Sequence, residues 1–149
     1  MNPRLTRRRR NWALAIASVA ACCAASLFLA CRESDRVRVA VWQYQIASHS
    51  GLVAGQVCVG IRDATPEIRT TFADPSMATI GALGAIGARV VPISLCSDSA
   101  VTLILGHVTY RSPWEATVEG SDPYGGYRYH VMRSQGAWRV RGADMTWIN

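Results

Sequence analysis

Lysine is missing from this sequence altogether, and all sixteen of its basic residues are arginine. With alanine and glycine abundant, this is the mark of a GC-rich coding bias, which describes the host and excludes no chemistry. Positive charge is also scarcer in the body of the chain than a pI near 9.5 implies. Five of the sixteen arginines, Arg4 and Arg7 to Arg10, precede Trp12, which leaves eleven against ten carboxylates from Arg32 to Asn149, a net of +1. A body so close to neutral has no electrostatic footprint for a polyanion, and nucleic acid is excluded as a partner. No internal repeat, low-complexity tract or Pro- or Ser-rich linker interrupts the chain. Residues 1–31 are therefore read as a targeting segment, and residues 32–149 as a single extracytoplasmic domain long enough to bury one core.

What the sequence does have is an address. Arg7-Arg8-Arg9-Arg10 abuts a run from Trp12 to Ala30 without one charged side chain, the pattern of a basic flank held in the cytoplasm ahead of a membrane-directed apolar segment. At 1.5 Å per residue the run is roughly 30 Å long, enough to cross a bilayer core. Leu27-Phe28-Leu29-Ala30-Cys31 resembles a bacterial lipoprotein signal, in which a small residue precedes a cysteine that is acylated. Its Phe and Leu depart from the usual side chains. Val19-Ala20-Ala21-Cys22 has better side chains but truncates the apolar run. The order of preference is a lipid anchor at Cys31, an uncleaved anchor, attachment at Cys22, and free secretion. Arg9-Arg10-Asn11-Trp12 adds a weak twin-arginine signal.

Of the five cysteines, Cys22, Cys23 and Cys31 lie in or beside the address, and Cys58 and Cys96 remain for the domain. An even pair outside the cytoplasm predicts a disulfide. One cysteine pair offers too few ligands for zinc, and neither thiol has a positioned base in its sequence neighbourhood.

Periodicity predicts an amphipathic helix from Ser34 or Asp35 carrying Val37, Val41 and Tyr44, then a strand at Gln56 to Arg62. Thr65-Pro66-Glu67 opens a short helix with Ile68 and Phe72, and Asp74-Pro75 opens another with Met77, Ile80 and Leu83. Strands follow at 89–95, 101–110, 115–119, 127–133, 138–141 and 145–148, with the 101–110 strand central in the sheet. Ser134-Gln135-Gly136-Ala137 joins two alternating runs as a hairpin, in which Val131 faces Val140 and His130 faces Arg141. Tyr127, Tyr129, Val131 and Val140 then share a packed face, and Arg128, His130, Arg139 and Arg141 a wet one.

No motif carries a reaction. Gly81 to Gly87 is a helix end and turn, because a phosphate cradle needs a strand before it and a helix after it. His49, His107 and His130 are not at metal-ligand spacing, and Ser48-His49-Ser50 reads as a helix terminus. Glu115 and Glu119 lie roughly 13 Å apart on one strand face, too far for glycoside chemistry, and with Asp122 they read as solvated charges. Seven of the twelve aromatics fall in 110–149, interleaved with Arg111, Arg128, Arg133, Arg139 and Arg141. Core filling accounts for most of them. Trp114, Tyr124, Arg128 and His130 are the candidate binding surface for an envelope protein or glycan.

Tyr129 to Val140 resembles the terminal strand pair of small bacterial domains in which a Tyr-x-Val strand, a glycine turn and a Trp-x-Val strand close a curved sheet. Helices followed by such a sheet are similar to the cystatin-like and NTF2-like α+β arrangement, and the whole chain resembles a Gram-negative envelope lipoprotein. That resemblance implies an N-terminal anchor helix, an amphipathic helix and short helices on a curved antiparallel sheet of five to six strands. It carries over no catalytic residue, cofactor or metal. The expectation is a membrane-tethered, non-enzymatic binding or accessory module on the periplasmic side of the envelope. The alternatives are a small cavity enzyme with His107 or His130 as base, and an inhibitor or immunity-type protein presenting Trp114 and Tyr124.

Overall fold

A computed structural model describes residues 3–49, 55–62, 71–85 and 87–148; in the first helix the side chains of residues 3–15, 17, 21, 23–25, 27, 28 and 31 are also outside the description. The chain divides into two compact units, Met1–Glu33 and Ser34–Asn149. The second is an α+β body.

Helix α1 spans Pro3–Ser48. The expected helix start at Ser34 or Asp35 is not there: the helix runs through both residues, and Asp35 instead pairs with Arg38 one turn on, at 3.3 Å. From Val37 the buried positions are Val37, Val41, Trp42, Gln45 and Ile46, a stripe at i, i+4, i+5, i+8 and i+9. Tyr44 falls beside that stripe, 43 % exposed.

Among the described residues seven strands follow: β1 Gln56–Arg62, β2 Phe72–Ala73, β3 Arg89–Pro92, β4 Val101–Ser112, β5 Glu115–Asp122, β6 Gly125–Ser134 and β7 Ala137–Ile148. Their order is β2-β1-β4-β5-β6-β7, with β3 also on β1. Two pairings are parallel, β1 with β3 and β1 with β4. The sheet is therefore larger than the predicted five to six strands and not wholly antiparallel. Parallel pairing of β1 with β3 is possible because helix α2, Met77–Gly84, lies between them in the chain. Ser76, not Asp74, caps α2, accepting the Thr79 N–H at 3.2 Å. Asp74 reaches forward instead to Ser94, in the 3₁₀ turn Ile93–Leu95. The expected helix at Thr65-Pro66-Glu67 with Ile68 lies outside the described residues, and Phe72 belongs to β2.

α1 lays its stripe on one face of the sheet. Val57, Val59, Leu103, Leu105, Val108, Ala116, Val118, Tyr129, Val131 and Trp138 meet it, and Leu83 from α2 completes the core. Each fully buried aliphatic or aromatic side chain contributes on the order of 2 kcal/mol by area. β1 is buried on both faces because Ile93 packs over Gly60, where a Cβ would lie 3.0 Å from the Ile93 side chain. Beside that contact Cys58 is bonded to Cys96, with Cα atoms 5.7 Å apart. The strand predicted at 89–95 ends at Pro92, and Cys96 follows the 3₁₀ turn.

The β6–β7 hairpin turns at Gln135 and Gly136, both with positive φ, as the glycine there permits. Val131 pairs with Val140 as expected, but His130 pairs with Gly142. Arg141 is the extra residue of a β-bulge that shifts the register by one.

Candidate functional site

The face of the sheet turned away from the core carries an open groove of about 340 Å³. Its floor and walls come from Arg62 on β1, Ile104, Gly106, His107 and Thr109 on β4, Thr117, Glu119 and Gly120 on β5, and Arg128 on β6. Strand alternation places most of these outward, since each neighbours a core residue: Thr117 lies between Ala116 and Val118, and Ile104 between Leu103 and Leu105. His107 is different. Counting by twos from Leu103 and Leu105 would aim it into the core. Instead Leu105 pairs with Gly120 and Val108 with Val118, so Gly106 and His107 together oppose the single residue Glu119. This bulge turns the imidazole outward. Across the groove Glu119 pairs with Arg128 at 2.8 Å, both side chains at least half exposed.

A second polar cluster closes the end of α1. Asp122 is 6 % exposed, although its place in the Asp-Pro-Tyr-Gly-Gly turn reads as solvated in the sequence. Its carboxylate accepts the N–H groups of Tyr124 at 2.8 Å and Gly125 at 3.1 Å, an Asx turn, and lies 3.3 Å from His49 Nε2. His49 Nδ1 is 2.8 Å from the Gln45 carbonyl, and its ring stacks on Tyr124 with centroids 5.5 Å apart. Both ring nitrogens are therefore occupied. That denies His49 the role of general base and makes it a clamp between the helix C-terminus and the β5–β6 turn. Gln45 Nε2 donates to the Tyr129 hydroxyl at 2.9 Å in the core. Burial first, with the charge of Asp122 and the neighbouring Tyr127 and Tyr44 adding to it, pushes the Tyr129 phenol far above its ordinary value against the opposing pull of the Gln45 bond. Desolvation and Asp122 also raise Tyr127. Asp74 is held below its ordinary value by the Ser94 hydroxyl and N–H.

The four residues of the predicted binding surface do not converge. Trp114 and Tyr124 occupy turns at opposite ends of β5, a strand about 26 Å long, so no common patch joins them. Arg128 lies in the groove. His130 stands next to it on β6, outside the groove, with Nε2 2.8 Å from an Asp144 oxygen. Glu115 and Glu119 are both exposed on β5. Of the cysteines proposed for lipid attachment, Cys22 is a free, exposed thiol, and the side chain of Cys31 lies outside the described residues. Sequence reading missed Arg62, Thr109 and Thr117 as groove residues and Asp122 as a buried group. The Asp-x-x-Gly turn signal was visible for Asp122; nothing local marks the other three.

Among the described residues no group of three or more His, Cys, Asp or Glu is placed to hold a metal ion. Among them, too, no helix is long and apolar enough to cross a membrane; most side chains of the Trp12–Ala30 run lie outside that set. Comparison with protein-family models, with curated proteins and with solved structures gave no match. The Cys58–Cys96 bond points to an oxidising, extracytoplasmic environment.

Proposed function

We infer that the chain is a binding or accessory module of a Gram-negative cell envelope, tethered to the membrane by residues 1–31 through acylated Cys31 or an uncleaved anchor helix. The observation that carries the binding role is the division of labour between the two sheet faces. The side that would be the catalytic cavity of an NTF2-like enzyme is filled by Val37, Val41, Trp42 and Ile46 of α1. The opposite side presents an open, mixed-polarity groove, a shape suited to a reversible polar ligand. An enzyme reading would need His107 or His130 as base. His130 is engaged by Asp144 at an exposed site, and His107 opens to solvent in the groove, so neither has the water-excluded setting that acid–base chemistry exploits. An inhibitor-type reading has less support, because Trp114 and Tyr124 are separated by the length of β5. The disulfide supports the compartment, and the Arg7–Arg10 cluster ahead of the apolar run supports its orientation. Protease added to spheroplasts of an expressing Gram-negative host tests the topology. The account expects the 34–149 unit to be degraded while a cytoplasmic marker survives; protection of that unit overturns it.

A further inference from the structure

The strand register brings residues distant in sequence into one row across the outer face. Ile61 pairs with Leu105, so Arg62 stands level with Gly106 and His107; these oppose Glu119 at the bulge, and Glu119 pairs with Arg128. The adjacent row sets Thr109 directly opposite Thr117. One side of the groove is thus a guanidinium, the other a guanidinium already neutralised by a carboxylate at 2.8 Å, with two hydroxyls side by side between them. Among the described residues no ion pair engages Arg62.

We propose that this groove binds an acidic sugar unit, a polyhydroxylated ring bearing one carboxylate, with Arg62 pairing the carboxylate while Glu119, Thr109 and Thr117 take ring hydroxyls. The assignment deepens the binding-module reading and rests on it. Three rival ligand classes fit the lining less well. A phosphate dianion is repelled by Glu119. It would also want converging backbone N–H groups, which strands β4, β5 and β6 commit to their ladders outside the bulge. A neutral sugar lacks its usual stacking platform, because no Phe, Tyr or Trp side chain lines the groove. An apolar ligand would have to desolvate two arginines, a histidine and a glutamate. A carboxylated sugar matches the lining best: a monoanion for Arg62, and hydroxyl donors for the Glu119 carboxylate. With no enclosed wall, affinity rests on the charge-assisted pair and falls as salt is raised.

The test uses the full chain in detergent micelles, titrated with glucuronate, glucose and inorganic phosphate and followed by calorimetry and ligand-observed NMR. Glucuronate should bind about tenfold or more tightly than glucose or phosphate, and Arg62→Gln should cost about tenfold of that affinity, the loss expected for one charge-assisted pair. Arg139→Gln, outside the groove lining, should leave binding unchanged. Circular dichroism of each variant establishes that it folds. Equal affinity for glucose, tighter binding of phosphate, indifference to Arg62→Gln or no binding of any probe would each overturn the assignment. The topology reading fails separately, through protection of the 34–149 unit in spheroplasts, and that result would leave the ligand site standing.

Discussion

Asp122 shows how one side chain can join two elements. Its two oxygens hold the N–H groups of its own turn and the imidazole at the end of α1. Removing the carboxylate therefore leaves buried donors without partners. Asp122→Ala should cost about 3 kcal/mol in urea unfolding and His49→Ala about 1, with a coupling of about 1 kcal/mol in the double-mutant cycle. Additive losses would mean that the two residues act independently. Tyr129 supplies a pH dependence. Its folded value is raised, so its contribution to stability is complete below the unfolded value, about 10, and is lost as pH rises through the higher folded value. Stability should decline above about pH 10, and Tyr129→Phe should flatten that decline, at a cost of about 1 kcal/mol at neutral pH for the lost Gln45 bond. Denaturant titrations at neutral and alkaline pH read both effects. Asp74 acts in the opposite sense. Its lowered value means that its tie to Ser94 is present above the unfolded carboxylate range and is released on acidification.

At the scale of elements, the β4–β5–β6–β7 meander is held in register by close approaches as well as by ladders. Gly120 lies where a Cβ would meet the Leu105 side chain and come within 2.9 Å of the Ile104 carbonyl. Gly120→Ala should destabilise by about 2 kcal/mol through overpacking, as thermal unfolding would show; a neutral result would mean the strands separate freely at this point. This meander was also the most legible part of the sequence. Alternation located β6 and the start of β7, the glycine turn between them and the Val131–Val140 pair, because those signals are local. The bulges were not legible. An extra residue at Arg141 or Gly106 leaves no trace in composition, yet each reverses the facing of the residues that follow it up to the next register shift, and His107 joins the groove because it is turned outward in this way. Long-range pairing was equally hidden: β1 finds β3 and β4 as parallel partners through a crossover that no short window contains. Asp122 was misread for the same reason, since its burial depends on where α1 ends in space.

For the molecule as a whole, the disulfide joins β1 to the segment after the 3₁₀ turn over a separation of 38 residues. The chain-entropy argument values that closure at about 4 kcal/mol, a large share of a small domain's stability. Replacing both Cys58 and Cys96 with serine should lower unfolding free energy by about that amount, and an unchanged midpoint would remove the bond from the account. The central claim is compartment and tether, and the most direct measurement is the intact mass of the protein recovered from the membrane fraction of a Gram-negative host, with thiol labelling before and after reduction. The account predicts a membrane-bound species, either beginning at Cys31 with its acyl groups or of full length, whose Cys58 and Cys96 take label only after reduction. A species found in the cytoplasmic fraction with both domain thiols freely labelled would contradict it.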